Sequence, residues 1–329
     1  MDDVSASKTI AQAPATRSKN MIDILKHPLI SIALATYNGE RFLEQQMDSL
    51  LAQDYQNLEI VISDDCSTDG TWGILQAYAA KDSRIRLLVR DVNRGYVGNF
   101  IRVFMQCKGD FISPSDQDDI WHSNKTRRLV ESIGDADLAY CNNRFIDDTN
   151  TPLGKKYSDT VSKMVSGKDP RNLIFCTSIS GHAMIFRSNL LQITENLSTA
   201  SYIDWLIAFL AANRNGINYI DEILVDWRQH QSSATFRFRK NTHGAKAEGI
   251  VKDKNTFTAL AAIPGKHQDF TINALKIWKT WLNSYFSLSM FFFVLRYGHI
   301  THKAHPARIP ALKYLFGYKL KKLIRPKYY

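Results

Sequence analysis

A chain of 329 residues with 44% hydrophobic and 22% charged residues can bury a full core, which excludes a fibrous or wholly disordered protein. The net charge of +10 is uneven: residues 237–329 contain eighteen Lys/Arg and three Asp/Glu, a balance of +15, which leaves −5 for the rest. Aromatic residues interrupt this basic part, and no nucleic-acid-binding motif accompanies it. The pattern therefore favours an anionic membrane surface over nucleic acid as its partner.

The first 28 residues are polar and lack an apolar stretch, so we predict a flexible tail and no secretory signal. The four cysteines contain no C-x-x-C pair, which argues against a zinc site or a disulfide framework. Their scatter favours a reducing, cytoplasmic compartment.

Apolar runs and amphipathic stretches alternate along the first 150 residues. The pattern predicts strands at 29–36, 58–63, 85–90, 110–113 and 138–142, with helices at 40–52, from about 68 to 80, and at 98–107. This alternation predicts an α/β fold with a mostly parallel, doubly wound sheet and flanking helices. Ligands bind such sheets at the carboxyl ends of the strands.

The rhythm loosens after residue 150, where we predict a strand at 182–187, a helix at 204–212 and a strand at 222–227. An aromatic helical segment follows from Thr271. Its longest charge-free run, Thr280 to Leu295, is shorter than the roughly 18 to 20 residues that cross a bilayer. We predict that this segment lies on a membrane or packs on the protein.

Acidic residues follow two of the predicted strands. Asp116, Asp118 and Asp119 repel one another, and a fold keeps such a cluster mainly where a hard divalent cation neutralises it, although an isolated cluster is more often a solvated turn. Asp64 and Asp65 end the second strand, where they could bind a base or ribose, or cap the next helix. Thr36-Tyr37-Asn38 could shape the same pocket or simply form a turn.

Four segments in order carry a family resemblance. They are SIALATYNGERFLEQQMDSLLAQDY, EIVISDDCSTDGT, Asn93-Arg94-Gly95, and GDFISPSDQDDIW with Lys125 after it. Over residues 29–235 the chain resembles family 2 glycosyltransferases of the GT-A fold. SDQDDIW and Trp227-Arg228-Gln229-His230 are similar to the subgroup of bacterial surface-polysaccharide transferases that includes many rhamnosyltransferases.

The resemblance implies a nucleotide-sugar-binding half at 29–120 and an acceptor-binding half at 121–235. For residues 236–329 it is the basic, aromatic composition that predicts an amphipathic helical extension associated with a membrane. The resemblance also implies roles for individual residues. The residues that would contact the donor are Thr36, Tyr37, Asn38, Asp64, Asp65, Asn93 and Asp116. Asp118 and His230 would hold Mg²⁺ or Mn²⁺, and Arg228 would contact the diphosphate. Asp204 would be the catalytic base, and the residues that would face the acceptor are Gly181, His182 and Trp205. A histidine after a strand is as readily structural as a ligand.

The implied reaction is an inverting, metal-dependent transfer from a dTDP- or UDP-sugar to a lipid-linked or saccharide acceptor of O-antigen or capsule synthesis, at the inner face of the cell membrane. A nucleotidyltransferase is an alternative, but such enzymes usually open with a Gly-rich, basic loop, and the first loop here is Thr36-Tyr37-Asn38-Gly39-Glu40. A non-catalytic nucleotide- or RNA-binding α/β protein is the other. A receiver domain would end near ~120 residues and leave the second half unexplained.

Overall fold

The structure is a computed structural model that describes residues 27–161, 163–193, 197–230, 243–304 and 310–324. Its first half alternates strands and helices as predicted. The elements are β1 (Ile30–Thr36), α1 (Glu40–Leu51), β2 (Leu58–Asp64), α2 (Thr71–Ala79), β3 (Ile85–Leu87), α3 (Gly95–Gln106) and β4 (Phe111–Ser115). β3 is shorter than predicted, and α3 begins three residues earlier.

These four strands form a parallel sheet in the order β3-β2-β1-β4. Side chains of β1 alternate between two cores: Ile32 and Leu34 join the core under α1, and Ala33 joins the core on the opposite face. Burial on both faces explains why β1 is a continuous apolar run. Because the strands are parallel, the loops after β1, β2 and β4 meet at one edge of the sheet.

The second half adds antiparallel strands. Its elements are β5 (Ile120–Trp121), α4 (Lys125–Ile133), β6 (Leu138–Ile146), β7 (Pro152–Lys156), β8 (Met184–Arg187), α5 (Ile203–Asn213) and β9 (Ile217–Arg228). β8 runs antiparallel to β4 and β6, β7 to β6, and β5 to β9, whereas β6 and β9 are parallel. The mostly parallel sheet that we predicted therefore holds as far as β4, and beyond it the sheet is mixed.

A short connection explains one of the antiparallel pairs. A turn of five residues, 147–151, joins β6 to β7, and so short a link can only return the chain in the opposite direction. The Asp147 carboxylate stabilises this turn by accepting the backbone N–H groups of Thr149 and Thr151 at 2.8 and 2.9 Å.

The C-terminal part is helical and packs on the sheet domain. It contains α6 (His243–Ala262), α7 (Gln268–Leu282), α8 (Leu288–Thr301), α9 (Pro310–Leu315) and α10 (Tyr318–Ile324). The predicted aromatic helix is split, because α7 ends at Leu282 and the Ser287 hydroxyl caps α8 by accepting the Met290 N–H at 3.3 Å. Within the described ranges, no helix combines the length and apolar character that a bilayer crossing requires.

Some predictions fall outside the described residues. These are the flexible tail up to residue 26, the domain boundary at 235, and the basic residues Arg325 and Lys327. All four cysteines are described, and each is free.

Candidate active site

Asp64, at the end of β2, holds the loop that follows it. Its carboxylate is buried and accepts the Thr36 hydroxyl at 2.9 Å and the hydroxyl and backbone N–H of Ser67 at 2.5 and 3.0 Å. The Arg90 guanidinium lies 3.0 Å from the second carboxylate oxygen. Thr36 and Asp64, both predicted to contact the donor, thus lie at the predicted edge and bond to each other.

Asp65 holds the start of α3. Its two carboxylate oxygens accept the backbone N–H groups of Arg94 and Gly95 at 2.6 and 2.8 Å, and Asn93 donates to the Asp65 carbonyl at 2.8 Å. A carboxylate at a helix N-terminus satisfies unpaired N–H groups and interacts favourably with the helix dipole. These bonds explain why α3 begins at Gly95, three residues before the predicted start.

The loops after β1 and β4 are joined by a residue that sequence reasoning missed. The Gln117 side-chain carbonyl accepts the Tyr37 N–H at 2.8 Å, and its amide donates to the Tyr37 carbonyl at 3.0 Å. Asn38 is in the left-handed region, with φ of 47°, and its side-chain oxygen accepts the Thr68 N–H at 2.8 Å. The Tyr37 side chain is half exposed above this junction.

Asp116, Asp119 and His182 form a cluster in which Asp119 and His182 are buried and the Asp116 side chain is 34% exposed. Nδ1 of His182 lies 3.3 Å from the Asp116 carboxylate and 3.4 Å from that of Asp119, and Nε2 lies 2.9 Å from the Asn143 side-chain amide. The ligand atoms of the three residues all lie within 4.8 Å of one another, close enough to share a cation. Asp119 and Asn143 were not predicted as site residues.

Burial and charge perturb both ionisable partners in this cluster. Burial raises the pKa of Asp119, although the adjacent His182 opposes this rise. For His182, burial lowers the pKa, but the Asp119 and Asp116 carboxylates outweigh it, so the net shift is upward. The imidazole therefore offsets part of the buried negative charge of the two carboxylates. One oxygen of Asp119 has no hydrogen-bond partner within the described part of the chain.

Asp118 and His230, predicted as metal ligands, lie together at a second position. Nε2 of His230 is 2.7 Å from the Asp118 carboxylate, and the Asp118 side chain is 20% exposed, whereas that of Asp119 is fully buried. The Asp118 carboxylate is thus the more accessible of the two groups, because the His230 side chain is only 8% exposed.

The Arg228 side chain holds the backbone at Asp118 in place. Its guanidinium donates to the Asp118 carbonyl at 2.8 Å, to Gln45 at 2.8 Å and to Asn150 at 2.6 Å, and its side chain is buried. The guanidinium also lies 4.5 Å from the centre of the Phe42 ring. In this structure, Arg228 positions the acidic loop, and its predicted contact with a diphosphate stays a prediction.

Asp204 lies at the first turn of α5 and contacts the Gly181 segment. A Cβ placed on Gly181 would lie 3.5 Å from the Asp204 Cβ, so the predicted base and the predicted acceptor-side loop are neighbours. Burial raises the pKa of Asp204 to about 6, the Trp205 N–H at 2.9 Å opposes the rise, and the Asp116 charge adds to it. A carboxyl group with this pKa can exchange protons near neutral pH.

Trp205 requires a correction. We predicted that it faces the acceptor, but its side chain is buried in the core, where the indole N–H donates to the Leu173 carbonyl at 2.5 Å and the ring lies 5.4 Å from that of Phe257. Helix α5 is apolar on all sides, so the residue after Asp204 turns inward.

Comparison with known proteins identifies a family. Residues 31–193 match the family model for glycosyl transferase family 2. The dTDP-rhamnosyl transferase RfbG of Shigella flexneri is 29% identical over 241 residues, which cover 67% of this chain and 80% of RfbG. TuaG of Bacillus subtilis, a glycosyltransferase assigned to teichuronic acid biosynthesis, is 31% identical over 130 residues, 39% of this chain and about half (52%) of TuaG.

Solved structures support the fold. TarS of S. aureus, residues 1–349 in complex with UDP, superposes with a TM-score of 0.54 at 18% identity, covering 83% of this chain and 73% of TarS. The mannosyltransferase PcManGT of Pyrobaculum calidifontis, with GDP-Man and Mn²⁺, superposes with a TM-score of 0.51 at 18% identity, covering 90% and 87% of the two chains. The predicted GT-A-type α/β fold is confirmed.

Proposed function

Because the chain carries a glycosyl transferase family 2 domain over residues 31–193, we propose that it transfers a sugar from a nucleoside-diphosphate sugar to an acceptor hydroxyl, with inversion at the anomeric carbon. The observation that carries the proposal is the placement of Asp204. This carboxyl group, with a pKa raised to about 6, lies beside the Gly181 segment at the acidic edge of the sheet. It is the group best suited to take a proton from an acceptor there.

The proposed chemistry is a single displacement. As the acceptor oxygen forms its bond to the anomeric carbon, the bond from that carbon to the diphosphate oxygen breaks, and the diphosphate leaves with the electron pair. Asp204 takes the acceptor's proton. The loops after β1, β2 and β4 would hold the donor, since hydrogen bonds fix each of them.

We propose that Asp118 and His230 hold a Mg²⁺ or Mn²⁺ ion. A metal that bridges to an incoming diphosphate needs at least one ligand that solvent can reach, and Mg²⁺ commonly uses only one or two carboxylates with phosphate and water completing its shell. Asp118 meets this condition, while the buried Asp119 does not. When bound, the ion would stabilise the negative charge of the departing diphosphate. Asp119 and His182 would then serve to hold the Asp116 carboxylate in position.

For the donor, we propose a dTDP- or UDP-sugar and would test dTDP-rhamnose first. The name of RfbG specifies a dTDP-rhamnosyl transferase, and this chain matches 80% of its length. For the acceptor, we propose a lipid-linked saccharide of surface-polysaccharide synthesis, met at the inner face of the cell membrane. The family match favours this function over a nucleotidyltransferase or a non-catalytic nucleotide- or RNA-binding protein.

A thermal-shift titration tests the donor and metal assignments together. We would measure the melting temperature with UDP, dTDP and GDP, each with and without Mn²⁺, for wild type, His230→Ala and the control His122→Ala. His122 follows β5, and its Nε2 lies 3.2 Å from the Asp226 carboxylate. We expect one nucleotide to stabilise wild type and the control only when Mn²⁺ is present, and His230→Ala to lose this increment. An unchanged increment in His230→Ala would refute the metal assignment.

A further inference from the structure

Two turns in the C-terminal part are held side by side by backbone hydrogen bonds. The turn between α7 and α8 and the turn between α9 and α10 are joined by Ser287 N–H to the Leu315 carbonyl at 2.9 Å and by Gly317 N–H to the Tyr285 carbonyl at 2.8 Å. The buried Trp281 indole donates to the Phe316 carbonyl at 3.0 Å. A side chain at Gly317 would collide with the Ser284 carbonyl, so this close approach requires glycine.

The paired turns present large apolar side chains to solvent. Phe286 is 62% exposed and Phe316 44%, and their rings lie 5.9 Å apart. The exposed surface continues along α8, where Leu288, Phe292 and Leu295 follow one helix face at spacings of four and three residues. We call Phe286, Leu288, Phe292, Leu295 and Phe316 the apolar tip. A contiguous apolar surface of this kind marks a contact with a partner.

The charges around the apolar tip select the partner. Residues 270–329 contain eleven Lys/Arg and no Asp or Glu. Of these, Lys313, Lys319 and Lys322 are exposed on α9 and α10, and the Lys319 N–H donates to the Ser284 carbonyl of the paired turns. A second copy docked through this face would bring like charges together, whereas an anionic lipid surface offers both hydrocarbon and negative charge.

We propose that the apolar tip inserts into the head-group region of an anionic bilayer, with Lys313, Lys319 and Lys322 against the lipid phosphates. The membrane contact itself does not depend on the proposed function. Only its biological role, which is to bring the active site to a lipid-linked acceptor, rests on that function. Lysines near an anionic lipid surface are attracted to it, and that attraction is screened by salt.

Vesicle sedimentation tests the insertion. The full chain is mixed with phosphatidylcholine vesicles with or without phosphatidylglycerol, at low and high salt. The tip variant is Phe286→Ser with Phe316→Ser, and the control is Met105→Ser, an apolar residue 63% exposed on α3. We expect wild type and control to sediment with anionic vesicles at low salt, and the tip variant to bind at least about tenfold more weakly.

A charge variant tests the second half of the proposal. Lys313→Gln, Lys319→Gln and Lys322→Gln together should lower binding and flatten its salt dependence, whereas Lys81→Gln with Lys108→Gln, both exposed on the catalytic domain, should not. Absence of wild-type sedimentation with anionic vesicles at low salt, or equal sedimentation of the tip variant, overturns the proposal. Nucleotide-dependent melting, measured in parallel without lipid, reports on the proposed function separately.

Discussion

Asp204 lies where two electrostatic influences oppose each other. The N-terminus of α5 favours a charged carboxylate through its N–H groups, and Asp204 accepts the Trp205 N–H. Burial and the charge of Asp116 act in the other direction and are stronger, because the pKa is raised to about 6. A base with this pKa is largely deprotonated at neutral pH, yet it can still hold the proton that it removes.

Replacing Asp204 should therefore separate turnover from donor binding. In Asp204→Asn we expect turnover to fall by about 100-fold or more, because the proposed general base is lost, while the affinity for the nucleotide stays near that of wild type. Steady-state kinetics with released nucleoside diphosphate as the readout, and nucleotide titration by calorimetry, measure the two quantities. Weakened nucleotide binding with normal turnover would place Asp204 outside the catalytic step.

The same substitution should stabilise the fold at neutral pH. The folded pKa of about 6 lies above the unfolded value of about 3.9, so the contribution of Asp204 to stability is full below pH 4 and is lost as the pH rises through 6. We expect Asp204→Asn to raise the free energy of unfolding at pH 8 by about 1 kcal/mol, discounted for partial exposure, and to give no gain at pH 4. Urea unfolding at both pH values measures the free energy of unfolding, and Asp135→Asn, at an exposed position, is the control. An equal gain in the free energy of unfolding at pH 4 and pH 8 would exclude a charge effect.

Individual side chains also show where sequence reasoning stops. Asp116, Asp118 and Asp119 were recognised as a cluster, but adjacent carboxylates look alike in a sequence, and only the backbone path decides which one turns inward. Here the short strand β5 follows Asp119 and pairs with β9, and Asp119 is fully buried beside His182. Asn143 could not be found at all, because a buried amide in the middle of β6 has no sequence signal.

At the scale of secondary structure elements, the active-site edge depends on loops that fix one another. The turn after β1 and the loop after β4 were predicted to be neighbours, because parallel strands end at one edge. Their joint through Gln117 was not predictable, since a neutral amide stands out neither by charge nor by periodicity. A side chain at Gly39 would overlap the Gln117 amide and displace it, so glycine at position 39 leaves room for the hydrogen bonds between the two loops.

A double-mutant cycle tests this joint. Gly39 has φ of −113°, which alanine tolerates, so Gly39→Ala should act only by displacing the Gln117 side chain and breaking its two hydrogen bonds to Tyr37. We expect Gly39→Ala and Gln117→Ala each to cost about 1 to 2 kcal/mol of unfolding free energy. The double variant should cost no more than one single variant. Additive costs would show that Gly39 is required for a different reason.

The C-terminal helices show how an element can be predicted in type but not in extent. The aromatic run from Thr271 was predicted as one helical segment, and the structure divides it at residues 283–287. Ser287 is an N-cap residue by type, but a single serine within an apolar run is a weak signal of a helix start. After this break, α8 has one face in the core, with Met290 and Phe293 buried, and one face in solvent, with Phe292 exposed.

At the scale of the whole molecule, the helical part and the sheet domain share one core. Phe257 of α6 packs between Trp205 of α5 and Trp278 of α7, with ring centres 5.4 and 4.8 Å apart. Phe293 of α8 lies 6.1 Å from Phe175, and all of these residues belong to the core on the α3 face of the sheet. The sequence suggested a separate extension because its charge changes sign there, but charge describes surfaces, whereas the shared core depends on apolar residues.

Shortening the chain should therefore unfold it. A chain that ends at Phe270 loses Trp278, Met290 and Phe293, each at most 6% exposed, and uncovers the apolar faces of α5 and α6. Since the loss of one large core side chain costs about 2 to 5 kcal/mol, the loss of several exceeds the usual stability of a domain. We expect this chain to be insoluble or to lose its cooperative melting transition, as measured by circular dichroism. The full-length Phe286→Ser, Phe316→Ser variant is the matched control, because its changes are at exposed positions in the turns between the same helices, and it should melt within a few degrees of wild type. A truncated chain that melts cooperatively at the wild-type temperature would show that the helical part is an independent appendage.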